Sequence, residues 1–540
     1  MALNRVKSSL GAWLAIPLVI LLSWLVFCMA AAANYYDKTS PGMMSLFIVL
    51  GIAPLVITRI AADFRTRWWP SLCRRLEEHT QRLDALPPRH LGIWVALAAG
   101  AGLYLELVLI RYHGTCFAVF GFFKNLSLLS CFLGLGMGYA LGRTRLVLTP
   151  LVLPLLAVQL IVTHLLQFSD IASTMGNPIF EQRAMGLPTV SGISHIVLVY
   201  AFLIWIFAFN AVCLVPLGQL ASHLMGRGAK LTAYSWNLVG SIVAVLLFWG
   251  LSYLWTPPVI WFAVGFLTLL PFLRGVRGLS TAIAIAVLGL VGTSFNLQSY
   301  DLYSPYQILT VLPAQSDSTM IMVNHFYYQG MFDLSPQGPG MNGNRAIEKT
   351  YYDLPYLFEK SPRDVLIVGS GSGNDAASAV RHGAGHVDAV EIDSLILRLG
   401  QLMHPEAPYA SDHVTPHVQD ARAYFRFTDK KYDLIVYGLL DSHTSLSAMS
   451  GVRLDSYIYT VEAFRQARKC LKDGGILCLS FASATEEFGA KLSLMLKEAF
   501  DGRQPRVFVA PMPVGATVFV IGKDAQAAPA VVPPGILDMT

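Results

Sequence analysis

Three successive apolar runs end in residues that together could hold an adenosine. The first, "DVLIVG" (364–369), passes straight into "GSGSGNDAASAV" (369–380). Gly369, Ser370, Gly371, Ser372 and Gly373 make a turn in which glycine lets the backbone approach a ligand closely. The helix that follows would present unpaired N–H groups at its start. The second run, "VDAVEI" (387–392), ends at Glu391. An acid about twenty residues beyond such a turn binds ribose hydroxyls. The third, "VTPHVQ" (414–419), ends at Asp420 and Ala421. There Asp420 could accept a hydrogen bond from an adenine amino group. The plain alternative is a glycine turn beside ordinary surface acids. A fourth run, "YDLIVY" (432–437), delivers Gly438, Asp441, Ser442 and His443 to the same edge. Asp441 and His443 are types that move protons near neutral pH. An exposed loop histidine would look the same.

These groups converge only if the runs are neighbouring strands. Helical stretches separate them, and "GILCLSF" (475–481), "RVFVA" (506–510) and "TVFVIG" (517–522) continue the pattern. Near-continuous apolar strands alternating with helices imply an α/β doubly wound, largely parallel sheet of the Rossmann-like kind. Ahead of it, "YQILTV", "TMIMV" and "HFYYQGMF" read as a small β subdomain, followed by a loop or flap at "SPQGPGMNGN" (335–344).

Residues 1–295 are different. Overall 54% of residues are hydrophobic and only 14% charged, and the apolar excess lies in this half. Nine segments approach the length of a spanning helix, near 11–33, 43–61, 91–110, 116–141, 146–168, 194–224, 237–254, 257–273 and 279–295. Arg59 to Arg89, then Arg143 and Arg145, Arg227 and Lys230, and Arg274 and Arg277 mark alternate loops as cytoplasmic. This predicts a multi-pass α-helical membrane bundle. Nine spans would put the following domain outside the cytoplasm and eight would keep it inside; the Ala/Gly-rich last segment is the weakest. The net charge of +5, placed beside apolar segments, argues for membrane topology and against nucleic acid. Seven cysteines without a CxxC pair indicate neither disulfides nor metal. Glu106 and Lys124, inside apolar runs, are expected either to pair or to line a substrate path. Arg111 is expected to snorkel, and "CFLGLGMGYALG" (131–142) to pack closely through its small residues.

From about 300 to 525 the chain resembles the spermidine synthase family, which has the class I methyltransferase fold. The likeness runs through "SPYQ", "YYD", "VLIVGSGSG", "VEID", "QDAR", "YDLIV" and "YIYTVEAFRQARKCLKDGGILCLSF". The membrane half resembles, more weakly, bundles fused to such domains in bacteria. The expected organisation is two spanning helices with a basic cytoplasmic loop (1–90), a bundle (91–295), a β subdomain and flap (296–345), a Rossmann domain (346–525) and a tail. The resemblance implies that Glu391 binds the ribose and Asp420 the adenine of S-adenosylmethionine or its decarboxylated form. Gln307, Tyr352 and Tyr459 become substrate-side candidates. Two family aspartates are replaced, by Ser372 and Gly438, while Asp441 is retained. Ser372 could hydrogen-bond the carboxylate of intact S-adenosylmethionine.

The implied activity is aminopropyl transfer to an amine. The alternatives are methyl transfer to a lipid or membrane-delivered acceptor, or a transporter or sensor with a non-catalytic nucleoside domain. The expected partners are the bilayer, a small amine or lipid-like acceptor and a second copy in a homodimer, without metal. The expected location is a bacterial inner membrane with the catalytic domain cytoplasmic, where adenosyl cofactors are supplied.

Overall fold

The computed structural model describes residues 19–31, 69–117, 119–167, 193–273, 277–294, 300–313, 318–323, 326–338, 343–440, 457–482, 486–511, 514–524, 531 and 533–540. These fall into two compact units, one within 1–298 and one from Ser299 to Thr540.

Among the described residues the first unit is helical. Its longer described helices are α1 (Val19–Ala31), α2 (Trp69–Asp84), α3 (Leu91–Cys116), α4 (Lys124–Ala140), α5 (Val152–Gln167), α6 (Ile193–Met225), α7 (Lys230–Tyr253), α8 (Pro258–Leu269) and α9 (Arg277–Ser294). Four helical stretches, Pro88–Cys116, Thr149–Leu166, Ile193–Met225 and Lys230–Tyr253, are long and apolar enough to cross a membrane. Of the other expected segments, 43–61 lies outside the described residues. The apolar run near 116–141 is divided, because α3 ends at Cys116 and α4 begins at Lys124. The small residues on α4 bring it against α6: a Cβ on Gly134 would lie 2.2 Å from the Ala211 carbonyl oxygen. Arg111 does not reach outward. Its guanidinium lies 4.5 Å from the Trp261 ring centre and donates to Ser252 Oγ. Glu106 is buried in α3, whereas the Lys124 side chain lies outside the description, and with it the expected pairing.

The second unit holds two sheets. The smaller is an antiparallel meander of β1 (Tyr300–Tyr303), β2 (Ile308–Pro313), β3 (Ser318–Val323) and β4 (Phe326–Phe332). The larger contains β5 (Asp364–Val368), β6 (His386–Glu391), β7 (Val414–Val418), β8 (Tyr432–Tyr437), β9 (Leu471–Phe481), β10 (Arg506–Ala510), β11 (Ala516–Gly522) and β12 (Leu537–Asp538). Their order across the sheet is β12-β10-β11-β9-β8-β5-β6-β7. The five strands from β7 to β9 run parallel, and β11, β10 and β12 are added antiparallel. Both faces are covered, so residues alternate between two apolar cores: Val365 and Ile367 point into one, Leu366 and Val368 into the other. This is the methyltransferase-like doubly wound fold. The strand order reverses between β5 and β8, which makes their C-terminal ends a ligand crevice.

The connecting helices α10 (Asn344–Asp353), α11 (Asn374–Arg381), α12 (Ser394–Met403), α13 (Ala421–Phe427), α14 (Val461–Cys470) and α15 (Glu486–Ala499) complete the unit. Leu309, Val311, Ile321 and Val323 of the meander pack on Leu395, Ile396 and Leu399 of α12. That contact carries the β1–β2 turn and β4 to the edge of the large sheet.

Candidate active site

The glycine turn is held from below by the second strand. Gly369 N and Ser370 N both donate to Val390 O, at 2.9 and 3.0 Å. Gly371 adopts a left-handed φ of 55°, open to glycine without penalty. That conformation turns its N–H onto Glu391 Oε2 at 2.9 Å, while Asp393 N donates to Oε1 at 2.9 Å. The carboxylate is thereby fixed at the tip of β6. Burial pushes it up to about 7, aided by the negative Asp393, against the pull of the backbone donors. A carboxylate held this way gains from added hydroxyl donors, and a ribose edge supplies two.

Asp420 stands at the tip of β7, where its side chain accepts from Ala423 N at 2.8 Å and caps α13. The cap aims the carboxylate, and Ala421 opens the helix behind it. Gln307 lies in the β1–β2 turn, its N–H donating to Ser304 Oγ at 3.0 Å. Burial raises the Asp393 carboxyl, and hydrogen bonds from the Ser304 and Gln307 side chains pull the other way. The adjacent Tyr306 phenol is raised by burial and by the charges of Asp393, Asp420 and Glu391. The turn therefore overhangs all three acids. Tyr306 was not singled out in the sequence, although it lies in "SPYQ".

Two further residues tie the turn down. Gln329 of β4 accepts at Oε1 from Ser372 N (3.3 Å) and Ser372 Oγ (3.2 Å). Tyr409 donates from its hydroxyl to Gly371 O (2.8 Å) and Ser370 Oγ (3.0 Å). Neither carries a local motif; each arrives by long-range packing. Ser372 is wholly buried and committed to Gln329, so it does not stand open to a ligand carboxylate as expected.

Tyr352 also departs from expectation. Its hydroxyl accepts from Asn374 Nδ2 at 3.0 Å and its ring meets Tyr351 at 4.9 Å, which places it behind the turn. Asn374 also donates to Gly330 O at 2.7 Å, stitching α11 to β4. Tyr459 meets Phe481 edge-on at 5.1 Å, next to the Thr460 cap of α14. Asp441 and His443 lie outside the described residues. Among the described residues no group of three or more His, Cys, Asp or Glu is arranged to hold a metal.

Gly438 follows β8 and sits beside the glycine turn. Val368 and Tyr437 are register partners, and Gly438 N donates to Val368 O at 3.0 Å. A Cβ at 438 would lie 2.8 Å from Gly369 O and 3.2 Å from Asp375 Oδ2. Asp375, in the first turn of α11, is partly covered; burial pushes its carboxyl up to about 7.

The spermine/spermidine synthase domain family matches residues 346–527. The polyamine aminopropyltransferase of Korarchaeum cryptofilum is 29% identical over 185 residues, covering 34% of this chain and 52% of its own. Polyamine aminopropyltransferase 2 of Hyperthermus butylicus is 29% identical over 133 residues, covering 24% and 41%. The chain thus spans about half or less of the length of these relatives. The crystal structure of Thermotoga maritima spermidine synthase aligns at 13% identity with a TM-score of 0.32, over 42% of this chain and 71% of that one. The C-terminal region of this chain is therefore similar to the spermine/spermidine synthase domain over residues 346–527.

Proposed function

We propose that this protein is a membrane-embedded transferase that moves the aminopropyl group of decarboxylated S-adenosylmethionine to a small amine. One observation carries the reading: the Gly371–Glu391 pair and Asp420 stand at successive strand tips of a spermine/spermidine synthase domain. Glu391 would hold the ribose, Asp420 the adenine, and the Tyr306–Gln307 turn would cover both. The similar curated proteins are named polyamine aminopropyltransferases, which supports the amine acceptor. The commitment of Ser372 to Gln329 favours the decarboxylated donor, because it removes the hydroxyl that was to meet the carboxylate of the intact one.

Membrane embedding is supported by the surface of the first unit. Leu231, Ile242, Val243, Leu246 and Trp249 of α7 are exposed, and so are Tyr200 and Ile204 of α6. Apolar side chains of this number facing outward suit lipid rather than water. The second unit would then work at the cytoplasmic face, where the donor is made, and a homodimer is part of this reading.

The test uses the full chain in lipid nanodiscs with decarboxylated S-adenosylmethionine and putrescine. Release of methylthioadenosine is expected. Absence of turnover with every primary diamine, or production of S-adenosylhomocysteine from intact S-adenosylmethionine instead, would overturn the assignment. A fluorescent reporter fused after Thr540 should light in the cytoplasm.

A further inference from the structure

The crevice between β5 and β8 contains a carboxylate that no cation pairs with among the described residues. Asp375 lies on α11 where the strand order reverses. It receives no side-chain hydrogen bond and forms no ion pair among the described residues. The groups that sense its charge are Tyr351, Tyr356, Tyr409 and Cys478, all uncharged at neutral pH. Among the described residues the cation whose charge reaches it, Arg381, is on the same helix but is engaged by Glu406 at 2.6 Å and Asp353 at 3.2 Å. A partly covered carboxylate shielded from water in this way is costly to charge unless a cation or proton joins it.

The neighbouring strand tip is shaped around this group. Gly438 has no left-handed φ to explain its glycine. What it lacks is a Cβ, which would lie 3.2 Å from Asp375 Oδ2 and 2.8 Å from Gly369 O. The missing atom leaves that oxygen a clear side toward the tip of β8.

From this geometry we infer that Asp375 is the catalytic carboxylate that holds the acceptor's ammonium group and takes its proton. The inference rests on the transferase reading above. An acceptor R–NH3+ gives one proton to the Asp375 carboxylate and becomes R–NH2. Its nitrogen pair then bonds to the carbon beside the donor's sulfonium. The C–S bond breaks, its electron pair stays on sulfur, and the sulfonium becomes a neutral thioether. The new secondary ammonium carries the positive charge away, and Asp375 returns its proton to water. No metal, oxidant or further reactant is needed.

Calorimetry on the full chain in nanodiscs separates this role from the reading beneath it. Methylthioadenosine is titrated first, then putrescine into the methylthioadenosine complex, for wild type, Asp375→Asn and Asp375→Glu. Equal methylthioadenosine affinity in all three shows that the variants are folded. Asp375→Asn should weaken putrescine at least about tenfold, as loss of a charge-assisted hydrogen bond does. It should also slow methylthioadenosine release at least about a hundredfold, while Asp375→Glu retains part of both. Equal putrescine binding in wild type and Asp375→Asn, or none in wild type, overturns the assignment of Asp375. Failure of wild type to bind methylthioadenosine would instead overturn the nucleoside reading itself.

Discussion

Gly438→Ala measures how tightly the two strand tips are packed. The added Cβ would lie 2.8 Å from Gly369 O, about 0.6 Å inside ordinary contact. Neither backbone can retreat cheaply, since Gly438 N is bonded to Val368 O and Gly369 N to Val390 O. Overpacking of this kind costs about 1–3 kcal/mol. Alanine also reduces the entropy of the unfolded chain, which is worth about 0.4–1 kcal/mol in its favour where φ is compatible. At mid-range the clash, about 2 kcal/mol, outweighs the gain of about 0.7, leaving a net loss of about 1.3 kcal/mol. At about 2–4 °C per kcal/mol for a unit of this size, thermal unfolding of the full chain should shift down by roughly 3–5 °C. An unchanged or higher Tm would refute the steric argument. Gly438→Asp should cost more, because it sets a second carboxylate beside Asp375. Its cost should fall by at least about 1 kcal/mol in an Asp375→Ala background, since residues sharing one space are not additive. Simple additivity would show that the two positions do not compete.

Stability should vary with pH through Glu391. In the unfolded chain this carboxyl ionises near 4.5, whereas in the fold it keeps its proton to about 7. Between those values the folded state holds a proton the unfolded state has lost, so stability is greatest at the acid end and declines as pH rises to about 7. At about 1.4 kcal/mol per unit the contribution is on the order of 3 kcal/mol. Glu391→Gln should reduce the slope of the denaturant midpoint across this window, Asp375, also raised to about 7, keeping the rest; an unchanged slope would contradict the linkage. Gly400→Ala would set a Cβ 2.3 Å from Ser372 O and 2.8 Å from the Tyr409 ring. It should displace the glycine turn and weaken methylthioadenosine at least about tenfold by calorimetry, a loss of roughly 1.4 kcal/mol; wild-type affinity would show that the turn tolerates the shift. In the helical unit, buried Asn210 accepts from Gln159 and donates to Ser130 Oγ at 3.2 Å. Asn210→Leu should lower stability in detergent by about 1–2 kcal/mol, and no change in the unfolding midpoint would count against an interior held by this network.

Much of the large sheet was legible because each of its strands is an apolar run bounded by turn residues, and seven of the eight strands coincide with such runs. The eighth, Leu537–Asp538, is two residues long and carries no pattern of its own. Composition also said nothing of direction: that β11, β10 and β12 run antiparallel follows from their connections rather than their residues. In the helical unit, hydropathy missed that α7 begins at Lys230, because "KLTAYSWN" is polar for a span yet entirely helical. Within the site, Gly371, Glu391 and Asp420 could be read because each sits at a strand end, where spacing along the chain predicts position in space. Gln329, Tyr409 and Tyr306 reach the same place from a different sheet, a short 3-10 turn and a hairpin, at separations no local pattern encodes.

Gly438 shows what that difference does to a functional reading. Along the chain, an absent carboxylate at 438 directs attention to the next acid on the same loop, Asp441. Among the described residues an acid lies sideways in space: β5 and β8 are paired in register at Val368 and Tyr437, and Asp375 in the first turn of α11 comes within 3.2 Å of where a Cβ at 438 would stand. A crevice between strands can draw its carboxylate from either wall, and the wall that lacks it must then be small enough to admit it. Glycine at 438 meets that requirement, and alanine already does not. Gly438 and Asp375 therefore behave as one feature shared by two strands. Substituting either alone should disturb both the packing and the charge of the crevice, which is why the coupled variants discriminate better than any single one.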